Sequence, residues 1–182
     1  MKPWKRIEPT TVDRIGWRTV VTKTFVDNRG DQNEYGAFGA ENSRNAAVIA
    51  ITEDNRVLVA RQFRIGPEKI MEELPGGGVD TDEDPQDAAL RELLEETGYR
   101  PSNIEYLGEH HKDAYMNSTW HYYLATGCQK IGGQQNLDET EDIDIDLIPI
   151  SQLLHNATHD KMTDAVAVLM AYEKLKKLEE KT

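Results

Sequence analysis

The chain has 182 residues, 38% of them hydrophobic, which suits one good core with room for a small extra lobe. Its net charge of -12 is placed unevenly: residues 72–96 hold ten acids and one base, residues 138–146 hold six acids and no base, and the rest of the chain is +3. This excludes the basic stripe of a general nucleic-acid binder, while the longest apolar runs, Ala46–Ile51 and Ala165–Tyr172, are far too short to span a bilayer.

Cys128 is the single cysteine, so no internal disulfide is possible. Met1–Arg6 leads into no apolar core of signal-peptide length. A reducing, cytoplasmic location is expected, with no membrane and no nucleic-acid partner.

Residues 1–42 read as a separate small lobe. Trp17–Val26 is rich in β-branched and aromatic residues, and Asn28-Arg29-Gly30-Asp31 is a turn. Tyr35 and Phe38 fit a returning strand, which together predicts a hairpin or a three-stranded antiparallel sheet. A sheet so small needs something to lie on.

Residues 43–182 read as the main domain. Arg44–Thr52 is a nearly continuous apolar strand, apt for the middle of a sheet. The chain turns at Glu53-Asp54-Asn55 and returns along Arg56–Phe63. Arg61 and Arg64 bring two guanidinium groups to the far end of that strand. A short strand, Ile70–Leu74, feeds the turn Gly76-Gly77-Gly78, where glycine lets the backbone approach a ligand closely.

A helix follows. Asp84 suits the N-cap, Pro85 the first helical position and Gly98 the residue past the end. Leu90, Leu93 and Leu94 form its expected apolar side. Glu92, Glu95 and Glu96 fall together on the other, with small Ala88 on their stripe. Like charges at these spacings each cost a few tenths of a kcal/mol in an isolated helix. Three carboxylates on one face therefore suggest a positive charge between them. All candidate ligands are oxygens, so a hard ion is indicated, Mg²⁺ or Mn²⁺ in its place. A solvated acidic face is the bland alternative for the glutamates alone. A calcium loop from Asp80, Asp82 and Asp84 fails, because Pro85 stands where glycine is needed and Arg91 where a bidentate glutamate is needed.

Beyond the helix, strands are predicted at Ile104–His111 and Thr119–Ala125, with a loop around Met116-Asn117-Ser118. Residues 127–137 read as a flexible loop, and Glu141–Ile150 as a half-buried strand in which acids and apolar residues alternate. A short helix at Ser151–Asn156 and a terminal helix at Thr163–Glu180, with Val166, Leu169, Met170 and Leu175 inward, complete the chain. His155 and His159 stand four apart, as zinc ligands can on a helix, but no third ligand lies near them. The alternation fits an α/β fold with a mixed sheet and helices on both faces.

The run Gly77, five residues, Glu83, seven residues, then Arg91-Glu92-Leu93-Leu94-Glu95-Glu96-Thr97-Gly98 resembles the Nudix box. All seven positions that this pattern fixes over its 23-residue span match. Tyr99 departs from the aliphatic residue usual at the end. The resemblance implies a Nudix α/β/α sandwich over roughly residues 43–180 and hydrolysis of a P–O–P bond. Divalent ions neutralise such a linkage, hold it in place and lower the pKa of a bound water.

Carried over position by position, Glu92 and Glu96 are the principal metal ligands, Glu95 a further ligand or partner, and the Gly76 carbonyl a backbone ligand. Glu95 and Glu96 also stand among the catalytic candidates. Gly77, Glu83, Arg91 and Gly98 are structural in the motif, with an Arg91–Glu83 salt bridge holding the loop and Glu73 supporting it.

In the branch of the family that acts on ADP-ribose and sugar nucleotides, a loop before the last strand carries an acidic cluster. Residues 137–143 resemble it. Glu139 would then deprotonate the attacking water and Glu141 complete a metal site, with loop closure as part of turnover. In that branch an N-terminal sheet also packs across a two-fold dimer, which implies a homodimer. Arg64, with Arg61 and Lys69 behind it, is the candidate phosphate contact. Trp17, Tyr35 and Phe38 are candidates to stack on a nucleobase.

For substrate, a nucleoside diphosphate sugar, ADP-ribose included, is expected, giving a nucleoside monophosphate and a sugar phosphate. The proline that often marks strict ADP-ribose preference is replaced by Ala114, followed by Tyr115. A tyrosine there is found in dinucleoside polyphosphate hydrolases. A dinucleoside polyphosphate or NTP pyrophosphohydrolase is therefore the alternative enzyme, and a non-catalytic nucleotide-binding regulator the alternative of another class.

Overall fold

The computed structural model describes residues 1–132 and 142–180. The chain forms two compact units, residues 1–44 with 111–120, and residues 45–110 with the described residues from His121 onward.

The first unit is a three-stranded antiparallel sheet in the order β1-β2-β3, with β1 at Lys5–Ile15, β2 at Arg18–Val26 and β3 at Gln32–Phe38. The sequence reading had no strand at β1, whose side chains are mostly exposed and polar and whose register breaks between Ile7 and Thr11. Pro9 lies in that break, where it has no amide to donate to the ladder. Residues 111–120 return to this sheet: the Phe38 amide donates to the Tyr115 carbonyl at 2.7 Å and the Asn117 amide to the Phe38 carbonyl at 2.8 Å.

The second unit is built on an eight-stranded sheet with a main path β11-β5-β4-β10-β8. These strands are β4 (Arg44–Thr52), β5 (Arg56–Arg64), β8 (Tyr99–Arg100), β10 (Thr119–Lys130) and β11 (Asp144–Pro149). Off that path, β6 (Lys69–Glu73) pairs with β5, β7 (Gly76–Gly78) with β4 and β9 (Asn103–His110) with β10. Helix α1 (Pro85–Thr97) packs on β7 and β8, α2 (Ile150–Ala157) on β11 and β5, and α3 (Ala165–Glu179) on α2 and β9. This is the expected α/β/α sandwich on a mixed sheet. Its core runs through β4 and β5, where Ala46–Ile51 and Val57–Ala60 are buried, and joins Ala88, Ala89 and Leu93 of α1.

Three expectations are corrected. Strand β10 continues to Lys130, because Gln129 and Lys130 pair with β8, so residues 127–130 are not loop. The packed side of α1 is Ala88, Ala89, Leu93, Glu96 and Thr97, while Leu90 and Leu94 are only half-buried. The two alanines let the helix sit close to the sheet, and this turns the stripe by about one position. Helix α3 likewise seats its small side, Ala167, Val168, Ala171 and Leu175, and leaves Leu169 74% exposed.

Candidate active site

Helix α1 is delimited by its caps. Asp84 accepts from the Gln86 amide at 2.8 Å, Pro85 opens the helix, and Gly98 closes it at φ 72°, a left-handed conformation that glycine adopts freely. The last turn carries no base. Glu95 and Glu96 thus stand where the helix dipole disfavours carboxylates, by about 0.3–1 kcal/mol each when exposed. A sequence that breaks a local rule in this way marks a site rather than a scaffold.

The positive charge between the glutamates, among the described residues, is Arg91. Its guanidinium donates to Glu83 twice, at 2.9 and 3.1 Å, and to the Gly78 carbonyl at 3.0 Å. Its Nη1 donates to Glu92 at 2.8 Å and to Glu95 at 3.1 Å. The hydrogen bond to Glu83, followed by those to Glu92 and Glu95, raises the arginine pKa further above its usual range. Glu83 also accepts from the Asp80 amide at 2.9 Å, so the loop after β7 is closed on itself as well as tied to the helix through Arg91.

Gly76 and Gly77 have no room for a side chain. A Cβ on Gly77 would lie 2.4 Å from a Glu92 carboxylate oxygen, and one on Gly76 would lie 2.3 Å from the Ala46 carbonyl. The β7 backbone therefore comes directly against Glu92, and only glycine permits it. Glu96 follows the packed side of α1 inward and is 5% exposed. A set of carboxylates and closely apposed backbone, all hard oxygen donors, fits a divalent cation of the Mg²⁺ class. No cluster of three or more acidic, His or Cys groups already set for a metal occurs among the described residues. Glu92 and Glu95 face Arg91 instead.

The other sequence candidates are distributed more widely. Arg64 meets Glu73 side-on, with Nε at 2.6 Å from Oε1 and Nη2 in contact with Oε2. This hydrogen bond, with the charges of Glu73, Asp164 and Glu96, raises the Arg64 pKa against the opposing effect of burial. Arg61 pairs with Asp146 at 3.2 Å, and Lys69 with Asp160 at 2.6 Å. Trp17 and Tyr115 belong to the first unit. Trp17 is 77% exposed in the β1–β2 turn with the Arg18 guanidinium 4.4 Å from its ring centroid, and Tyr115 is 55% exposed. His155 and His159 stack with centroids 3.8 Å apart. Glu139 and Glu141 lie outside the described residues. Asp164, buried at the start of α3, was not among the sequence candidates; the sequence reading places it inside the terminal helix.

The NUDIX domain model matches residues 42–167. The chain is 34% identical to the methanol dehydrogenase activator of Bacillus methanolicus over 68% of its own length and 67% of that protein. It is 28% identical to the ADP-ribose pyrophosphatase of Bacillus subtilis over 71% of each. A crystal structure of an ADP compounds hydrolase superposes with a TM-score of 0.74 at 21% identity, covering 95% of this chain and 97% of that one. With Glu92 of the box set against Gly77 and the domain match spanning most of its length, the chain belongs to the Nudix hydrolase family.

Proposed function

We propose that the protein is a Mg²⁺-dependent pyrophosphatase of nucleoside diphosphate sugars, ADP-ribose included, releasing a nucleoside monophosphate and a sugar phosphate. The observation that carries this reading is the apposition of Glu92 to Gly77, with Glu95 and Glu96 on the same helix. The 28% identity to an ADP-ribose pyrophosphatase over 71% of both chains supports the substrate class.

Glu92 and Glu96 would hold the cation, with Glu95 and Glu141 as further ligands and the Gly76 carbonyl as the backbone donor. When bound, the ion supplies charge neutralisation of the diphosphate and a lowered pKa for water, and Mn²⁺ substitutes for Mg²⁺. The protein's own residues do the rest. Arg91 and Glu83 fix the loop that carries the glycines. Glu139 takes a proton from the attacking water, whose oxygen bonds to one phosphorus while the bridging oxygen leaves with the other. Glu73 occupies the Nε and Nη2 edge of Arg64, which leaves Nη1 for a phosphate, with Arg61 behind it. Trp17, Tyr35 and Phe38 remain the candidates to stack on a base, and Tyr115 a candidate substrate contact.

The exposed apolar side chains of the first unit, Val12, Ile15, Trp17 and Phe38 among them, support a homodimer in which a second copy covers that sheet. Cys128 is a buried free thiol whose pKa burial pushes up to about 11, which makes it inert; the cytoplasmic setting is proposed from its being the single cysteine. No helix among the described residues is long and apolar enough to cross a membrane.

The test is a panel of sugar nucleotides, ADP-ribose, dinucleoside polyphosphates and NTPs with Mg²⁺, followed by product identification. Paired nucleoside monophosphate and sugar phosphate support the proposal. Inorganic pyrophosphate or an NTP as product would move the enzyme to the class that Tyr115 favours. Binding without Mg²⁺-stimulated turnover would make it a regulator.

A further inference from the structure

The connection from α2 to α3 runs alongside β6 and fastens it. The Lys69 ammonium reaches Asp160 at 2.6 Å, the Glu72 amide donates to the Lys161 carbonyl at 2.8 Å, and the Thr163 amide donates to the Glu72 carbonyl at 3.2 Å. Asp164 ends this run. It is 3% exposed and stands at the N-cap of α3, yet its side chain caps no amide of that helix. Its Oδ2 instead accepts from the Leu74 amide at 3.1 Å and from the Thr163 hydroxyl at 3.4 Å.

A carboxylate that forgoes its own helix and enters a buried site does so for a partner worth the desolvation. Among its partners is the backbone amide of Leu74, the first residue of the bend between β6 and β7. The next residue, Pro75, accepts from the Val48 amide at 3.0 Å. Gly76 then packs so tightly on β4 that a Cβ would lie 2.6 Å from the Ala47 Cα. The bend is thus pinned by Asp164 on one residue and by β4 on the following ones. Glu73, just before it, pairs with Arg64, and the charges of Asp164 and Glu96 both act on that guanidinium.

We propose that Asp164 is a positioning residue for the cation site: by holding the Leu74 amide it sets the path of the Leu74–Gly76 backbone, and so the direction of the Gly76 carbonyl and the place of the Glu73–Arg64 pair. This rests on the metal-dependent reading above. It assigns a role in the site to a residue outside the box and on the far side of the chain from it.

The test uses the full chain and Mn²⁺, measured as the free ion by electron paramagnetic resonance. Asp164→Ala weakens Mn²⁺ binding by about tenfold, as loss of outer-shell partners does, and lowers kcat with little change in KM for ADP-ribose. Asp164→Asn keeps an oxygen for the Leu74 amide without the charge, and binds Mn²⁺ about threefold more weakly than wild type. Leu175→Ala, in the core of α3, lowers the melting temperature but leaves Mn²⁺ affinity unchanged, which separates positioning from general destabilisation. Asp164→Ala that folds and binds Mn²⁺ like wild type overturns the role. If Asp164→Ala does not fold, Asp164→Asn decides, and wild-type Mn²⁺ affinity in that variant overturns it. Wild-type protein that takes up no Mn²⁺ at all defeats the metal-dependent reading itself, and the role with it.

Discussion

The two units are stabilised by different means. In the second, apolar strands and the small side of α1 form a continuous core, and the charged residues of the site rest on it. In the first, Val21 is the one buried apolar side chain, and the sheet is held by its ladders and by ion pairs around Glu41, which meets Arg6 at 2.6 Å and Lys23 at 3.2 Å. Its large apolar groups, Ile15 and Trp17 above all, face outward. One unit rests its charged residues on a finished core, and the other leaves its large apolar groups at the surface.

This contrast can be broken most sharply at the site. Glu96→Gln should lower kcat at least about 100-fold, since even outer-shell partners of a metal cost about 10- to 100-fold, while circular dichroism shows an intact fold. A near wild-type rate rejects its metal role. In the core beneath, Leu93→Ala should cost about 2–5 kcal/mol in denaturant unfolding, as large-to-small core changes do. Gly77→Ala should fold, because the group it meets is the end of a side chain, but weaken cation binding about tenfold by displacing Glu92. Calorimetry that finds no change would deny the close approach any role.

In the first unit the same kind of truncation should hardly matter to the folded chain. Ile15→Asp with Trp17→Asp should change unfolding free energy by about 0.5 kcal/mol or less, as surface changes do, yet convert a sedimenting dimer to monomer. A monomeric wild type would remove the proposed homodimer. The smallest effect concerns pH. Hydrogen bonds from Arg6 and then Lys23 lower the Glu41 pKa to about 2 from 4.5. A depressed carboxylate contributes stability that is present above its unfolded pKa and is lost as pH falls through the folded one. The first unit should therefore loosen between about pH 4.5 and 2, and an NMR titration placing Glu41 near 4.5 would contradict the ion-pair account.

How much could be read beforehand follows the same division. Helix α1 was legible to the residue because Asp84, Pro85 and Gly98 act locally, and β4 because six successive apolar residues admit few alternatives. The Arg91–Glu83 pair was implied by the resemblance to the Nudix box. The burial of Glu96 was not, because it depends on Ala88 and Ala89 drawing the helix inward. Strand β1 escaped notice because its polar, exposed residues lack an alternating pattern. The clamp along β6 could not be seen: beside the Lys69–Asp160 pair it is made by backbone amides and carbonyls of residues 161–163, which leave no trace in side-chain type. Asp164 was hidden by the same fact, since among its partners is the amide of Leu74.

The central claim is that the box glutamates hold a divalent cation against a diphosphate. A crystal structure with Mg²⁺ and a non-hydrolysable ADP-ribose analogue tests it most directly. The account predicts Glu92 and Glu96, with the Gly76 carbonyl, on the ion, and Arg91 retained by Glu83. Density that shows Glu92 and Glu95 still on Arg91, with the ion and the analogue elsewhere, would contradict it.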